Sequence, residues 1–399
     1  MTAHVGGDAA RGQGTSVGRV TDAVLVLNAG SSSLKFRVVG PAGETVVGGK
    51  VERVDETGWH AAFEQLSASL DEAGVQQGDL LGVGHRVVHG GEKYSEPTVV
   101  DDEVLAGIEA LVALAPLHNP PALAGIRATM EAFPGLTQVA VFDTAFFAEL
   151  PPVAATYALD RELAVHEGVR RYGMHGISHE YVARETARYL GRPLGELRLV
   201  VLHLGNGASA AAISGGKPVD TSMGMTPLEG LVMGTRSGDL DPGVLLHLLR
   251  RGHTVDDLED LLHHRSGLQG LAGHHDLRDL EAAIDEGDAF AQTAFDVYCH
   301  RLRKYVGAYL AVLGGADAVV FTAGVGQRDD RVREGALAGL GELGLELDPE
   351  LNRIEAEGAR TISASYSPIT ILVMPTDEEL AIARQVRGLL VGAPHSLSY

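Results

Sequence analysis

The sequence predicts an α/β protein with two related halves. Short apolar segments alternate with segments of helical periodicity, which indicates strands and helices mixed along the chain. The order strand, polar turn, strand, Gly turn, strand occurs twice, starting near Thr21 and near Leu199. A chain of 399 residues is also too long for one ordinary hydrophobic core, so two or three domains are expected.

Composition limits the classes of function. Hydrophobic residues make up 45% and charged residues 21% of the chain, which is typical of a soluble globular protein and excludes a disordered or fibrous one. The 53 acidic and 32 basic residues give a net charge of −21, so no basic surface for nucleic acid is expected. Any anionic ligand must then be bound by a few locally placed arginines and lysines.

Cysteine usage and hydropathy indicate a cytoplasmic protein. Cys299 is the only cysteine, which excludes an intrachain disulfide and fits a reducing compartment. It lies in a helical pattern, which favours a buried small side chain over a catalytic thiol. No apolar run reaches the roughly 18 to 20 residues of a membrane span. Residues 1–20 lack the apolar core of a signal peptide and are predicted to form a loose tail.

The first repeated unit contains a turn that resembles a phosphate loop. Its predicted strands are residues 24–27, 34–39 and 45–51, with the polar turn at 28–33 and a second turn at 40–43. A Walker-type loop ends in Gly-Lys-Ser/Thr and opens a helix. Here Leu34, Phe36 and Val38 alternate with polar residues instead, so the turn leads into a strand.

The second unit repeats this order about half a chain later. Residues 199–204 and 210–213 are predicted strands around a small polar turn at 205–209, and Gly215-Gly216 turns the chain into a third strand. Two such units point to a duplication, although similar Gly turns also arise by chance. If the halves are related, each offers its turn to a shared cleft, where ligands commonly bind.

The remaining elements fit an α/β order. Helices are predicted at 103–113, 121–132, 179–190, 242–251, 255–262, 276–285, 288–314 and 377–390, and strands at 138–142, 318–322 and 369–374.

Three strand ends carry glycines where backbone can approach a phosphate closely. They are residues 28–33, 203–209 and Gly324-Val325-Gly326. The Asn206-Gly207 pair alone also suits an ordinary hairpin turn. Together the three favour a nucleotide phosphate chain as the ligand.

Two arginines lie in glycine-rich settings. Arg86 is in G-H-R-V-V-H-G-G and Arg236 is in G-T-R-S-G-D. A guanidinium in an apolar strand is costly unless it meets an anion, which is either a structural carboxylate or a ligand. In an acidic protein, this pair suggests two ends of one anionic reaction centre.

Acidic and histidine side chains complete the candidates. Asp143 follows a predicted strand, where it is either functional or an N-cap. His175 and His179 are four residues apart without the glutamate of H-E-x-x-H, which disfavours zinc. Ser178 is predicted to cap a helix that begins at His179, with His175 in the preceding loop.

A capping box is predicted at the start of the last helix. Thr376 and Glu379 have the required spacing, which leaves Glu378 free for a metal ion.

Eight motifs in collinear order together resemble the acetate and propionate kinase family, over about residues 23–388. They are N-A-G-S-S-S-L-K-F, G-H-R-V-V-H-G-G, F-D-T-A-F, R-R-Y-G-M-H-G-I-S-H, H-L-G-N-G-A-S, T-P-L-E-G-L-V-M-G-T-R-S-G-D-L-D-P, F-T-A-G-V-G and P-T-D-E-E.

The resemblance implies a fold and a reaction. It implies an α/β protein of the actin, sugar kinase and Hsp70 type, with a cleft between two related domains and a homodimeric assembly. Domain I would comprise residues 21–168 with 378–396 on the acyl side, and domain II residues 169–377 on the nucleotide side. The implied reaction is phosphoryl transfer from ATP to acetate, giving acetyl phosphate and ADP, with Mg²⁺ or Mn²⁺.

The resemblance also assigns roles to residues that match the family motifs. The implied metal positions are Asn28 and Glu378, and the implied catalytic residues are Asp143, His175 and Arg236. The implied substrate-binding residues are Arg86, Val88, Leu117 and Pro227. The implied nucleotide contacts are Lys35, His203, Leu204, Gly205, Asn206, Gly207, Asp276, Leu277, Arg278, Gly324, Val325, Gly326, Gln327 and Arg328.

The chemistry of this reaction makes the roles reasonable. Acetate, with a pKa of about 4, is already ionised at neutral pH and needs no general base, so Asp143 is expected to orient an arginine or metal-bound water. Two positions depart from the family pattern: Met174 replaces Phe, and Gln327-Arg328 replaces Glu-Asn. These departures leave open the choice of acid and the strictness for ATP. The alternatives are a propionate or butyrate kinase, and a non-catalytic ATP-binding module.

Overall fold

The structure is a computed structural model that describes residues 21–30, 33–52 and 59–392. The predicted tail 1–20 and two residues of the first polar turn lie outside the described residues. The strands, in chain order, are β1 (Ala23–Ala29), β2 (Ser33–Val39), β3 (Thr45–Glu52), β4 (Leu80–Val87), β5 (Thr98–Val99), β6 (Gln138–Phe142), β7 (Arg198–Leu204), β8 (Ala208–Ser214), β9 (Lys217–Thr221), β10 (Ala318–Thr322), β11 (Arg360–Thr361) and β12 (Thr370–Val373).

The α-helices lie between and after these strands. In chain order they are α1 (Trp59–Glu72), α2 (Asp102–Ala110), α3 (Asn119–Ala132), α4 (Pro152–Ala155), α5 (Arg161–His166), α6 (Gly176–Leu190), α7 (Pro242–Arg250), α8 (Val255–His264), α9 (Gly267–Ala272), α10 (Leu277–Asp285), α11 (Ala289–Leu313), α12 (Ala323–Arg328), α13 (Asp330–Leu337), α14 (Pro349–Arg353) and α15 (Glu378–Val391). In the described part of the chain, no helix is long and apolar enough to cross a membrane.

The strands form two sheets with the same topology. One sheet has the order β3-β2-β1-β4-β6-β5 and the other β9-β8-β7-β10-β12-β11. In each sheet an antiparallel meander is followed by two parallel strands and a short antiparallel edge strand. The duplication and the α/β class predicted from sequence are confirmed.

Parallel pairing places the candidate residues along sheet edges. Strands β1, β4 and β6 are parallel neighbours, so their carboxyl ends bring Asn28, Arg86 and Asp143 to one edge. Strands β7, β10 and β12 do the same in the second sheet, where His203 pairs with Thr322. Carboxyl ends of parallel strands are the usual place for ligands in α/β proteins.

Two helices connect the sheets. Helix α6 packs its apolar residues, including Val182 and Ala183, against the second sheet. Helix α15 follows a strand of the second sheet, yet Ile382 and Val386 pack against the first sheet. The chain thus returns to its first half at its end, and the boundaries proposed at 168/169 and 377/378 stay a prediction.

Helix α6 begins earlier than the sequence predicted. The predicted cap at Ser178 is wrong, because α6 starts at Gly176 and the residue before it is His175, with a left-handed φ of 59°. Ser178 therefore lies within the first turn, and its hydroxyl is within hydrogen-bond distance of His203 and Thr376. A left-handed histidine is uncommon and is not readable from residue type.

The capping box at the last helix is also wrong. Asp377 is the N-cap of α15, and its carboxylate accepts from the Leu380 amide at 2.9 Å. The Thr376 hydroxyl is instead bonded to Ser178 at 2.8 Å, and Glu379 lies 3.5 Å from the Arg37 guanidinium. Asp377, one residue after Thr376, is the N-cap instead, because an aspartate carboxylate is as good an N-cap as a threonine hydroxyl.

Candidate active site

A buried ion pair joins the ends of strands β4 and β6. Arg86 donates from Nη2 to Asp143 Oδ2 at 2.7 Å and from Nε to Oδ1 at 3.2 Å, so the pair is bidentate. The Asp143 side chain is only 1% exposed. Asp143 does not cap the helix that follows, since Thr144 has that position. The structural ion pair considered for Arg86 is therefore present, and it leaves the rest of the guanidinium available to a ligand.

Glu378 adds a second carboxylate at this edge. Its Oε2 lies 3.7 Å from Arg86 Nε. Burial raises the pKa of Glu378, and the opposing charge of Arg86 only partly offsets it. Burial alone lowers the pKa of Arg86, but the charges of Asp143 and Glu378 outweigh it and the net pKa is raised. At this end of the site, Arg86 therefore lies between two carboxylates, those of Asp143 and Glu378.

Asn28 and Lys35 lie on adjacent strands beside this pair. They are directly opposite each other in the β1–β2 ladder, with Asn28 half-buried and Lys35 exposed. The charge of Lys35 reaches Glu378, whose pKa it lowers. The predicted metal pair and the predicted lysine are thus brought to the same sheet edge.

Arg236 has a different environment from Arg86. Its Nη1 donates to the Pro227 carbonyl oxygen at 3.3 Å and lies 3.7 Å from the Met233 sulfur. Burial lowers the pKa of Arg236, and no carboxylate of the described residues offsets the effect. A largely buried guanidinium without a carboxylate partner among the described residues is a candidate site for an anionic ligand.

The connection from β6 to α6 fixes His175 between these groups. The Gly176 amide donates to the Asp143 carbonyl oxygen at 2.9 Å. A Cβ at residue 176 would lie 2.2 Å from that oxygen, so only glycine permits the approach. The positive charges of Arg86 and Arg236 both lower the pKa of His175, after burial and the neighbouring His203.

The stacked rings of His175 and His203 each lie within hydrogen-bond distance of a buried serine hydroxyl. The rings of His175 and His203 are 4.2 Å apart with a 21° interplanar angle. His175 Nδ1 lies 2.9 Å from Ser209 Oγ, and His203 Nδ1 lies 2.8 Å from Ser178 Oγ. Burial lowers the pKa of His203 to about 3, so both rings are neutral near pH 7.

The second polar turn passes close to both catalytic candidates. A Cβ at Gly207 would lie 3.6 Å from His175 Nε2 and 3.8 Å from Arg236 Nη1. Strand β8 begins at Ala208, so this turn is shorter than the predicted 205–209. The backbone at Gly207, the His175 ring and the Arg236 guanidinium thus lie close together.

The predicted acyl pocket has an apolar lining. Val88 and Leu117 are half-buried and Pro227 is buried. Val88 packs against the core of the second sheet, to which Met174 belongs with 1% exposure. Met174 is therefore a buried core residue and not an exposed wall of the predicted pocket.

Two of the predicted nucleotide residues are buried leucines, and two others form an ion pair at the start of α10. Leu204 and Leu277 pack in the core of the second sheet, so only their backbone is available to a ligand. Asp276 is the N-cap of α10, and its Oδ1 accepts a hydrogen bond from Arg278 Nε at 3.0 Å. The hydrogen bonds from Arg278 lower the pKa of Asp276 to about 2.

The third glycine-rich strand end is a short helix rather than an open turn. Helix α12 follows β10 through Ala323, which has a left-handed φ of 63°. Two arginines outside α12 donate hydrogen bonds to its last carbonyl oxygens. Arg333 donates to Gly326 O at 3.1 Å and Arg360 donates to Gln327 O at 3.0 Å. Arg333 is 1% exposed.

The predicted metal site has few protein donors. The described residues contain no group of three or more His, Cys, Asp or Glu side chains that could hold an ion alone. Asn28 and Glu378 do offer oxygen donors at one edge, and Mg²⁺ commonly takes one or two protein oxygens with substrate phosphates and water. The donors fit an ion that arrives with a nucleotide.

Comparison with known proteins decides the family. A model of the acetokinase family matches residues 45–384. The chain is also 53% identical over 387 residues to an acetate kinase from Leifsonia xyli subsp. xyli, a match that covers 91% of this chain and 98% of that protein. The chain belongs to the acetokinase family.

Solved structures of acetokinase relatives share the fold. The Porphyromonas gingivalis acetate kinase superimposes with a TM-score of 0.86 at 40% identity, covering 93% of this chain and 100% of that one. A propionate kinase from Francisella tularensis gives 0.85 at 36% identity, covering 92% and 99%. The family and the fold class predicted from sequence are confirmed.

Within this acetokinase site, sequence reasoning missed several residues. Ser209 is a small residue in a turn motif, and only the fold places it between His175 and His179. Arg333 lies in α13, the helix immediately after α12, but nothing in its residue type or spacing predicts that it donates back to Gly326 O. His118, whose pKa burial and the charge of Arg236 lower to about 4, follows Leu117 and was not singled out.

Proposed function

We propose that this member of the acetokinase family is an ATP:acetate phosphotransferase that forms acetyl phosphate and ADP reversibly. The observation that carries the proposal is Arg236, a largely buried cation without a carboxylate partner among the described residues, close to His175, on which the charge of Arg86 in the Arg86–Asp143 pair also acts. The identity of 53% to an acetate kinase supports acetate as the acceptor.

Acetate and the terminal phosphate of ATP are both anions, so their approach is opposed by charge. Arg86 would bind the acetate carboxylate with the part of its guanidinium that Asp143 leaves free. Arg236 and His175 would donate to the phosphoryl oxygens as negative charge redistributes during transfer. No proton has to leave the nucleophile, so Asp143 acts by orienting Arg86.

The apolar residues Val88, Leu117 and Pro227 would hold the acetate methyl group. On the other side, the turns at 203–207 and 324–328, with Asp276, Arg278 and Lys35, would hold ATP between the two proposed domains, residues 21–168 with 378–396 and residues 169–377. Asn28 and Glu378 would hold Mg²⁺, which when bound offsets phosphate charge. The need for ATP supports a cytoplasmic location.

We also propose a homodimer formed through the surface around α7. None of the side chains of this helix is buried, and it exposes the apolar residues Val244, Leu246 and Leu249, with Leu240 and Val255 nearby. Several exposed large apolar side chains on one segment of chain are characteristic of a subunit interface. The mass of the protein in solution tests this, with Leu246→Glu expected to yield monomers.

The activity is tested by trapping its product. Purified protein with acetate, Mg-ATP and hydroxylamine should form acetyl hydroxamate, and omission of acetate is the control. No product above that control would refute the assignment, and no product with propionate or butyrate either would favour the non-catalytic ATP-binding alternative.

Propionate is the second candidate acceptor, because the chain is also 36% identical to a propionate kinase. One methylene in an apolar pocket changes specificity by only about 1 to 3 kcal/mol. Comparison of kcat/KM for acetate, propionate and butyrate decides this, and a value for butyrate about tenfold above that for acetate would overturn the choice.

A further inference from the structure

A buried serine lies between two histidines at the centre of the site. Ser209 is 0% exposed and is directly opposite His203 in the β7–β8 ladder. Its Oγ lies 2.9 Å from His175 Nδ1 and 2.7 Å from His179 Nε2. Both distances are those of ordinary hydrogen bonds, so one hydroxyl connects the two rings.

The protonation states leave two arrangements of these bonds. Burial lowers the pKa of both His175 and His179 well below its usual range, with further lowering by the charge of His203. Each ring is therefore neutral and carries one proton. The hydroxyl of Ser209 has one proton to donate, so it donates to one histidine and accepts from the other.

In the first arrangement His179 Nε2–H donates to Ser209, and Ser209 donates to His175 Nδ1. The proton of His175 is then on Nε2. In the second arrangement every bond is reversed, which leaves His175 Nε2 without a proton and places one on His179 Nδ1.

The surroundings of His179 favour the first arrangement. His179 Nδ1 is buried and has no hydrogen-bond partner among the described residues. The second arrangement would therefore leave an N–H group buried without an acceptor, which folded proteins avoid more strictly than an unused acceptor.

The position of His175 Nε2 favours the same choice once a ligand is present. This atom lies on the side of the ring near Gly207 and Arg236, where the phosphoryl group would be transferred. An anion there gains from an N–H donor and is repelled by a nitrogen lone pair.

We propose that Ser209 and His179 are positioning residues that fix His175 as the neutral Nε2–H tautomer, so that His175 donates a hydrogen bond to the phosphoryl group. The inference rests on the proposed function for the role of the donated bond. The relay itself, from His179 through Ser209 to His175, is independent of that function.

Nitrogen NMR tests the relay without any assay of activity. The two ring nitrogens of a neutral histidine have different ¹⁵N resonance frequencies, so the tautomer of His175 can be read in wild-type protein saturated with Mg-ATP and free of acetate. The proton is expected on Nε2, and a proton on Nδ1 would overturn the proposal. In Ser209→Ala we expect a mixture of tautomers.

Steady-state kinetics test the consequence. Ser209→Ala should lower kcat by about 10- to 100-fold, with KM for ATP and acetate within about twofold of wild type. Ser209→Thr keeps the hydroxyl and should recover most of kcat. Ser214→Ala is the matched control, because Ser214 lies at the other end of the same strand, opposite Arg198 in the β7–β8 ladder.

The outcomes separate the two proposals. A Ser209→Ala protein with unchanged kcat, or with raised KM alone, would refute the relay as a positioning device. Wild-type protein without acetyl phosphate synthesis but with the Nε2–H tautomer would instead refute the proposed function and leave the relay in place.

Discussion

At the scale of single residues, Arg86 and Arg236 differ in their counterions. Arg86 is held by Asp143 at 2.7 Å with Glu378 nearby, so its position is fixed before any ligand binds. Among the residues that the structure describes, Arg236 is held by the Pro227 carbonyl oxygen and contacts the Met233 sulfur atom. A fixed arginine suits orientation of a small carboxylate, and an uncompensated one suits stabilisation of charge on a phosphoryl group.

Replacement of Arg86 by lysine tests its orienting role. Lysine keeps the charge but cannot form two parallel bonds with Asp143. We expect Arg86→Lys to raise KM for acetate by about 10- to 100-fold, and KM for ATP by less than about twofold. Initial rates with each substrate varied provide the measurement.

Arg127→Lys is the control, because Arg127 forms an exposed ion pair with Glu109 at 3.0 Å. If Arg86→Lys raised KM for ATP as much as KM for acetate, the assignment of Arg86 to the acyl side would be wrong.

Residue types predicted some of the side chains that the structure brings together, but not all of their contacts. Arginines in glycine-rich motifs and an acid at a strand end were readable, and Arg86 and Asp143 do meet. The relay through Ser209 was not readable, because it joins β8 to α6 through tertiary packing. The left-handed conformation of His175 could not be predicted from the sequence either. His175 is the residue before α6, so the helix begins at Gly176 and Ser178 is not its cap.

At the scale of elements, the short helix α12 depends on arginines from outside. Arg333 and Arg360 donate to its last carbonyls, which otherwise lack partners within so short a helix. This helix carries the glycines proposed to contact ATP, so its position should affect nucleotide binding.

Removal of Arg360 tests this support. We expect Arg360→Ala to raise KM for ATP by about 3- to 10-fold and to leave KM for acetate unchanged, since about one hydrogen bond to the helix is lost. Arg353 and Arg360 both line one cavity of about 390 Å³ beside α12. Arg353→Ala is the matched control, because Arg353 bonds Glu350 at 3.1 Å instead of α12. Equal effects of both variants on KM for ATP would contradict the role of Arg360.

Sequence patterns located the long elements well. The predicted strands 138–142 and 318–322 match β6 and β10, and the predicted helix 288–314 corresponds to α11 with Asp288 as its cap. The two-residue strands β5 and β11 were missed because they are too short to show a period. Helix α12 was missed because glycine is a poor helix former.

At the scale of the whole molecule, the two sheets share one topology, and this was visible in the repeated meander. Their strand orders correspond one to one. The family resemblance placed residues 378–396 with the first half of the chain, and α15 does pack against the first sheet. Periodicity alone did not predict this packing, because it depends on which apolar faces meet after both sheets have formed.

Buried histidines predict how stability depends on pH. Burial lowers the pKa of His85 and His89 to about 4 and that of His203 to about 3. The unfolded chain, with a histidine pKa of about 6.5, then binds more protons at acid pH. The stabilisation is complete above about pH 6.5 and is lost as pH falls toward about 4.

Urea unfolding at several pH values measures this loss. A tenfold difference in proton affinity between the folded and unfolded chain corresponds to about 1.4 kcal/mol for each group, so the free energy of unfolding should fall by several kcal/mol across the window. His85→Gln should reduce the slope, and His247→Gln, at an exposed position, should leave it unchanged. A free energy of unfolding independent of pH in this window would contradict the role of the buried histidines.

Across the whole molecule, Arg236 is the cation that we propose stabilises phosphoryl transfer, because no carboxylate of the described residues offsets its charge. The most direct test of that role is kcat for acetyl phosphate formation by Arg236→Ala at saturating acetate and Mg-ATP, beside wild type. We expect a fall of at least about 10³-fold, as for other arginines that stabilise phosphoryl transfer. A kcat within about tenfold of wild type would contradict this role of Arg236.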